Sequence, residues 1–140
     1  MIKLKIHPGC TPKYMSKLSS ACDVVSRVDM DIEAGSVGKV PTGVWIEDLT
    51  QDGKLFEIQI RARSGLSLKK ISLANGVGTI DADFKDEICV LLKNDSDCTF
   101  HIKAQDRIAQ MVLSEVIRFD FLPVGEQRSG GFGSTGISNK

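Results

Sequence analysis

The sequence lacks most of what would mark a specialised surface. Its 140 residues carry 18 Lys plus Arg against 18 Asp plus Glu, so no net charge remains. Domains that grip nucleic acids usually show a clear basic excess, and a nucleic-acid partner is therefore not expected. Two histidines, His7 and His101, leave little material for a His-rich metal centre. The four cysteines (Cys10, Cys22, Cys89, Cys98) show no CxxC spacing. Because the opening Met1-Ile2-Lys3-Leu4-Lys5 is too polar for a secretory leader, these thiols are expected to be reduced in a cytoplasmic setting. No apolar run exceeds Ile88 to Leu92, far short of the roughly 20 residues that a membrane-spanning helix needs. No Gly-x4-Gly-Lys-Ser/Thr loop occurs. What is present is ordinary globular usage, 41% apolar and 26% charged, which argues against wholesale disorder and for one domain with one core.

The dominant hydrophobic period is two. Ile2, Leu4 and Ile6 alternate with lysines, and from Leu55 to Ala62 the apolar Phe56, Ile58 and Ile60 alternate with Glu57, Gln59 and Arg61. Shorter strands are expected at Val37 to Val40, Val44 to Ile46, Ile88 to Leu92, Thr99 to Ile102, Met111 to Leu113 and Val116 to Phe121. Asp52-Gly53 can supply a tight hairpin between the Trp45 and Leu55 strands, and Asn75-Gly76 reads as a second hairpin turn. Asn94 to Asp97 punctuates a third junction. No window of about 12 residues shows a helical stripe, and only Ser64 to Lys70 could make a turn or two of helix. Many short strands with regular turns predict an all-β sandwich or barrel. The last stretch differs. Five of the thirteen glycines fall from Gly125 onward, so residues 1–122 are expected to form the β domain and 123–140 a flexible Gly-rich C-terminal arm.

Four segments carry chemistry-bearing residues in unexpected places. In the arm, Arg128, Ser134 and Thr135 suit phosphate, its glycines allow close backbone approach to an anion, and Phe132 could stack on a base; a loose terminus is the plain alternative. Asp81 and Asp83 flank Ala82 just after Asn75-Gly76-Val77-Gly78, a pattern that fits either a solvated acidic turn or a carboxylate pair relieved by a cation. Arg63-Ser64-Gly65 follows directly on the Phe56 strand, and Asp106-Arg107 with Gln110 precede the Met111 strand; singly, each reads as a surface turn or local salt bridge. Together, Asp, Arg, Ser, Gln and a glycine-rich anion loop in one small β domain are the parts of a metal-assisted phosphate hydrolase.

In order and spacing, Arg63-Ser64-Gly65-Leu66, Asn75 to Phe84 (NGVGTIDADF), Asp106-Arg107-Ile108-Ala109-Gln110-Met111 and Arg128-Ser129-Gly130-Gly131-Phe132-Gly133-Ser134-Thr135-Gly136 resemble four of the five motifs of the homotrimeric dUTPase family. Ser19-Ser20-Ala21-Cys22-Asp23-Val24 stands where the family has Ala-x-Gly-Tyr-Asp-Leu, so the similarity runs over residues 19–136. The resemblance implies a jelly-roll-like β fold, a trimer with active sites shared between subunits, and hydrolysis of dUTP to dUMP and pyrophosphate with Mg²⁺. Such an activity limits uracil incorporation into DNA and supplies dUMP for dTMP synthesis.

By the same resemblance Asp81 is the catalytic carboxylate that deprotonates water for attack on the α-phosphorus. An ionised Asp is a weak base with pKa about 3.9, so positioning and charge neutralisation must supply much of the acceleration. Mg²⁺ is implied to be held by the substrate phosphates and water, with Asp23 hydrogen-bonding those waters. Arg63, Ser64, Gly65 and Gln110 match phosphate and site partners. Asn75, Gly78, Thr79 and Ile80 match the uracil-reading segment, where cytosine would leave buried polar groups unpaired. Phe84 stands in for a tyrosine under the deoxyribose and keeps its steric test against a ribose 2′-OH. The arm matches a lid, with Phe132 over uracil, Arg128, Ser134 and Thr135 on the γ-phosphate, and Gly133 among its substrate-binding residues. Asp86 and Gln105 replace glycines of the family pattern, and Asp tolerates a left-handed backbone better than most residues. The alternatives are a non-catalytic nucleotide-binding or regulatory trimer and a dCTP deaminase-like member of the superfamily.

Overall fold

Alternation along the chain builds the fold from short strands, seen in a computed structural model that describes residues 1–125. In chain order these are β1 (Lys3–Ile6), β2 (Cys22–Val25), β3 (Met30–Ile32), β4 (Val37–Pro41), β5 (Val44–Asp48), β6 (Thr50–Gln51), β7 (Lys54–Arg61), β8 (Ile71–Leu73), β9 (Gly78–Ile80), β10 (Cys89–Asn94), β11 (Phe100–Ile102) and β12 (Arg107–Glu115). A single helical turn, α1 (Ser64–Ser67), lies within the stretch that looked helical. The architecture is all-β, as the alternation predicts. Its sheets do not close into a barrel, so of the two expected forms the sandwich is the one found.

The largest sheet runs β2–β12–β7, with β6 and β9 both on the far edge of β7. A second sheet runs β4–β10–β8, and β1–β5 and β3–β11 pair separately. Apolar faces of the two larger sheets meet in one cluster, with Val24, Ile58, Ile60 and Ile108 from the first and Val40, Val90 and Leu92 from the second. On β7 the alternation is realised as drawn from sequence: Ile58 and Ile60 are buried, and Glu57, Gln59 and Arg61 face outward. Arg61 donates to Gln59 at 2.9 Å, and Gln59 to Glu57 at 3.3 Å, so the outer face of the strand carries a polar ladder.

Several expectations need correction. Asp52 and Gly53 do form a tight turn, with φ of 53° and 74°, but the strand it joins to β7 is β6. The Trp45 strand, β5, pairs with β1 instead. Asn75-Gly76 is a turn but not a β-hairpin, because β8 pairs with β10 and β9 with β7; the turn crosses from one sheet to the other. Residues Val116 to Phe121 make no strand. β12 reaches Glu115 opposite Phe56, Val116 still bonds Leu55, and β7 then turns away at Lys54, so the chain runs past the end of its partner. Asp86 does not adopt a left-handed backbone. Gln105 does, at φ 75°, the conformation that a glycine would take without strain. All four cysteines are free thiols.

Candidate active site

The residues singled out by sequence fall into two groups on opposite sides of β7. The first is built by the ladder between β2 and β12. Gln110 lies opposite Asp23 on one side and opposite Arg61 on the other, so Asp23, Gln110 and Arg61 form a row across three strands. That row opens into a shallow pocket of about 330 Å³ bordered by Ser19, Ser20 and Ala21. Asp23 is held firmly. Its backbone N–H and C=O both bond Lys13, at 2.8 and 3.1 Å, while β12 pairs along its other edge. Only 7% of its side chain is exposed.

The Asp23 carboxylate meets two arginines through one oxygen. Arg107 Nη1 lies 3.4 Å from Oδ2, and Arg63 Nε lies 3.9 Å from it. Arg63 Nη1 also donates to the Arg107 carbonyl at 2.9 Å. Two guanidinium charges against one carboxylate leave a positive excess that suits an anion. Arg63 precedes α1 in an extended conformation, which places Ser64 and Gly65, both exposed, at the first turn beside this cluster.

The second group hangs on β9. Gly78 sits buried opposite Ile60, and a Cβ there would stand 3.0 Å from the Ile60 Cβ and 3.5 Å from the Asn75 amide nitrogen. The missing side chain thus lets β9 close on β7 and lets the Asn75 amide fold over the same spot. Thr79 is exposed opposite Gln59, and Ile80 is half-buried opposite Ile58. Asp81 leaves the strand next and is exposed; Glu57, Asp83 and Arg118 border the same pocket of about 390 Å³. The Phe84 N–H closes the turn on the Asp81 carbonyl at 3.1 Å, and the Phe84 ring packs half-buried against the core. Asp81 and Asp83 thus sit exposed on a turn, in line with the acidic-turn alternative read from the sequence.

The exit of that turn is anchored by Glu87. Its carboxylate receives Arg27 Nε at 2.8 Å, Arg27 Nη2 at 3.0 Å and the Gly43 N–H at 2.7 Å. Burial pushes the Glu87 carboxyl up, but the Arg27 and Gly43 hydrogen bonds outweigh it and hold the group below its ordinary value.

The two groups do not come together within one chain. Ile80 pairs with Ile58 on one edge of β7 and Gln110 with Arg61 on the other. Continuing β9 by one residue sets Asp81 beside Glu57, about 13 Å along β7 and about 10 Å across it from Gln110, or about 16 Å in all. Arg128, Phe132, Gly133, Ser134 and Thr135 lie outside the described residues. Among the described residues no set of three His, Cys, Asp or Glu side chains could hold a metal, and no helix is long and apolar enough to cross a membrane.

Sequence reasoning left two participants unassigned. Arg107 was legible as part of a polar turn and of a family motif but was given no role, although the adjacent apolar pair Ile108-Ala109 breaks the alternation of β12 and signals an irregularity there. Glu87 carried no local signal, since its partners Arg27 and Gly43 lie far away in sequence.

Comparison with known proteins bears on the whole chain. A family model described as dUTPase matches residues 8–136. The deoxyuridine 5'-triphosphate nucleotidohydrolase of Helicobacter pylori (strain P12) is 38% identical over 141 residues, covering 96% of this chain and 94% of its own length. The protein of the same name from Nautilia profundicola is 39% identical, with coverage of 96% and 99%. Among solved structures, the dUTPase from Streptococcus mutans superposes with a TM-score of 0.74 at 25% identity, over 84% of this chain and 98% of that one. With the ordered motifs, the shared β architecture and near end-to-end similarity in agreement, the chain belongs to the dUTPase family.

Proposed function

We propose that the protein hydrolyses dUTP to dUMP and pyrophosphate at sites assembled from more than one copy of the chain. One observation supports this most: the motif residues divide into an anion-binding half around Asp23 and a carboxylate half around Asp81 on opposite edges of β7, with Asp81 about 16 Å from Gln110 and farther still from Asp23 in one chain. A reaction at one phosphorus needs both halves within hydrogen-bond reach, and a second copy can bring them together. Relatives named nucleotidohydrolases, similar over nearly their full lengths, favour the same chemistry.

Asp81 takes the proton from a water attacking the α-phosphorus; its exposed carboxylate is engaged in no ion pair among the described residues. Arg63, Ser64, Gly65 and Gln110 bind and orient the phosphates. Asn75, Gly78, Thr79 and Ile80 read the uracil edge, and Phe84 packs below the deoxyribose. Residues 123–140 close over the bound nucleotide, with Arg128, Ser134 and Thr135 at the γ-phosphate and Phe132 with Gly133 at the base.

Mg²⁺ would be held on the substrate phosphates, with Asp23 placed to hydrogen-bond its water. No protein cage exists among the described residues, and Asp23 commits one oxygen, Oδ2, to arginine, which suits hydrogen bonding to metal-bound water. When bound, the ion would neutralise phosphate charge.

A homotrimer also accounts for apolar surface that one chain leaves uncovered. Ile117, Phe119, Phe121 and Leu122 are at least 80% exposed. A cleft of about 340 Å³ lined by Ile2, Leu4, Ile6, Leu49 and Leu113 opens beside β1. Burying such surface against another copy is favourable by about 25 cal/mol per Å².

Pyrophosphate release from dUTP with Mg²⁺, compared between the wild type and Asp81→Asn, tests the central claim. Turnover by the wild type and loss in the variant are expected; an inactive wild type would refute it. Ending the chain after Gln127 is expected to leave a folded trimer by light scattering with most activity gone, and normal turnover would remove the lid assignment.

A further inference from the structure

Arg107 opens β12 opposite Val25, and Gln110, three residues on, lies opposite Asp23. Regular alternation would send residues at that separation to opposite faces. The register shift between Arg107 and Ala109 inserts one residue, and Ile108 and Ala109 are both buried in succession. A bulge of this kind re-aims the side chains that flank it, so Arg107 and Gln110 stand on the same face around Asp23.

From there Arg107 touches both other charged members of the cluster. Its Nη1 donates to Asp23 Oδ2 at 3.4 Å, and its carbonyl accepts from Arg63 Nη1 at 2.9 Å. Arg63 Nε lies 3.9 Å from the same Oδ2, which closes a ring of three contacts. Two like charges on one carboxylate are a poor stabilising device by themselves, because their repulsion offsets part of each attraction. The arrangement gains when an anion arrives. A guanidinium has five N–H donors in a rigid fork, and fixing some of them aims the rest.

We propose that Arg107 is a positioning residue for Arg63: its side chain fixes the Asp23 carboxylate, its backbone carbonyl fixes one nitrogen of Arg63, and the remaining Arg63 donors meet a phosphate without reorienting. The inference rests on the dUTP-hydrolysing reading for the identity of that phosphate, not for the geometry.

The test measures pyrophosphate release from dUTP and calorimetric binding of inorganic tripolyphosphate for the wild type, Arg63→Met, Arg107→Met, Arg107→Lys and the Arg63→Met/Arg107→Met double variant. Arg107→Met is expected to lower both kcat/KM and tripolyphosphate affinity about tenfold, and Arg107→Lys to recover part of each loss. In the Arg63→Met background Arg107→Met should add little, because a residue acting through Arg63 has nothing left to position. If Arg107→Met does not fold, Arg107→Lys carries the same cycle with a smaller expected loss. The proposal is overturned if the Arg107 variants match the wild type in both assays, if the Arg63 and Arg107 losses simply multiply, or if the wild type does not bind tripolyphosphate. A wild type that binds tripolyphosphate but releases no pyrophosphate would sink the dUTP reading while the binding cycle still decides Arg107.

Discussion

Two aspartates of this chain, Asp23 and Asp81, occupy opposite environments. Asp23 lies within a paired strand, is almost fully buried, and meets two arginines. Asp81 lies just beyond a strand end, is exposed, and borders an open pocket. A buried, paired carboxylate organises cations; an exposed one can meet water. On the proposed shared-site reading, the difference separates the part that the fold completes in advance from the part left open to water and ligand.

Substitution should break this contrast most visibly at Asp81. Asp81→Asn is expected to lower kcat by about 10³-fold, the scale of a lost general base, while the melting temperature moves by less than about 2 °C. Asp23→Asn should instead cost both. Breaking an ion pair around a buried carboxylate, discounted for the partial exposure of its arginines, removes about 2 kcal/mol and about 8 °C of melting temperature, with a smaller loss of kcat/KM. Steady-state kinetics and calorimetric melting on the same samples check both. Equal stability losses in the two variants would erase the distinction.

A third variant sharpens the comparison on the Asp81 side. That turn is exposed at its tip but braced at its exit, where Glu87 joins Arg27 to Gly43. Glu87→Gln should lower the melting temperature by about 5 °C at neutral pH. Because folding depresses the Glu87 carboxyl, its contribution is fully present above the ordinary carboxylate range and is lost as pH falls through the depressed value. The gap between wild type and variant should therefore narrow as the pH is lowered from neutral through and below the ordinary carboxylate range. A gap that stays constant across that range would show that the brace does not act through its charge.

What could be read from the sequence followed the same division between local and non-local causes. The alternation on β7 and the Asp52-Gly53 turn are local properties, and both appear where the residues predict. Partner choice is not local. β5 looked like a neighbour of β7 but pairs with β1, and Asn75-Gly76 looked like a hairpin but joins two sheets. β2 takes its shape from β12 on one edge and Lys13 on the other, and β9 from β7, so no period within these short strands announces it. The site shows the same limit. Its motif residues were legible one by one, but the Arg107 bulge, the Glu87 brace and the separation of Asp23 from Asp81 exist only in register and topology.

The smallest expected effect lies at the seam between β9 and β7. Gly78 needs no unusual backbone angle; it is required because its neighbour is close. An added methyl would stand 3.0 Å from the Ile60 Cβ, an atom fixed to the backbone of β7, so one strand must shift by a few tenths of an ångström. Overpacking of this size costs about 1 kcal/mol, or about 4 °C, in Gly78→Ala. The Asn75 amide, 3.5 Å from the same methyl, would be displaced with it, while Asp23 and its arginines sit on the other edge of β7 and should not move. Gly78→Ala should thus raise KM for dUTP several-fold and leave tripolyphosphate binding unchanged. A loss of tripolyphosphate affinity would mean that the two sides of β7 are mechanically coupled, and the Asp23 cluster would then be less fully built by its own strands than its burial implies.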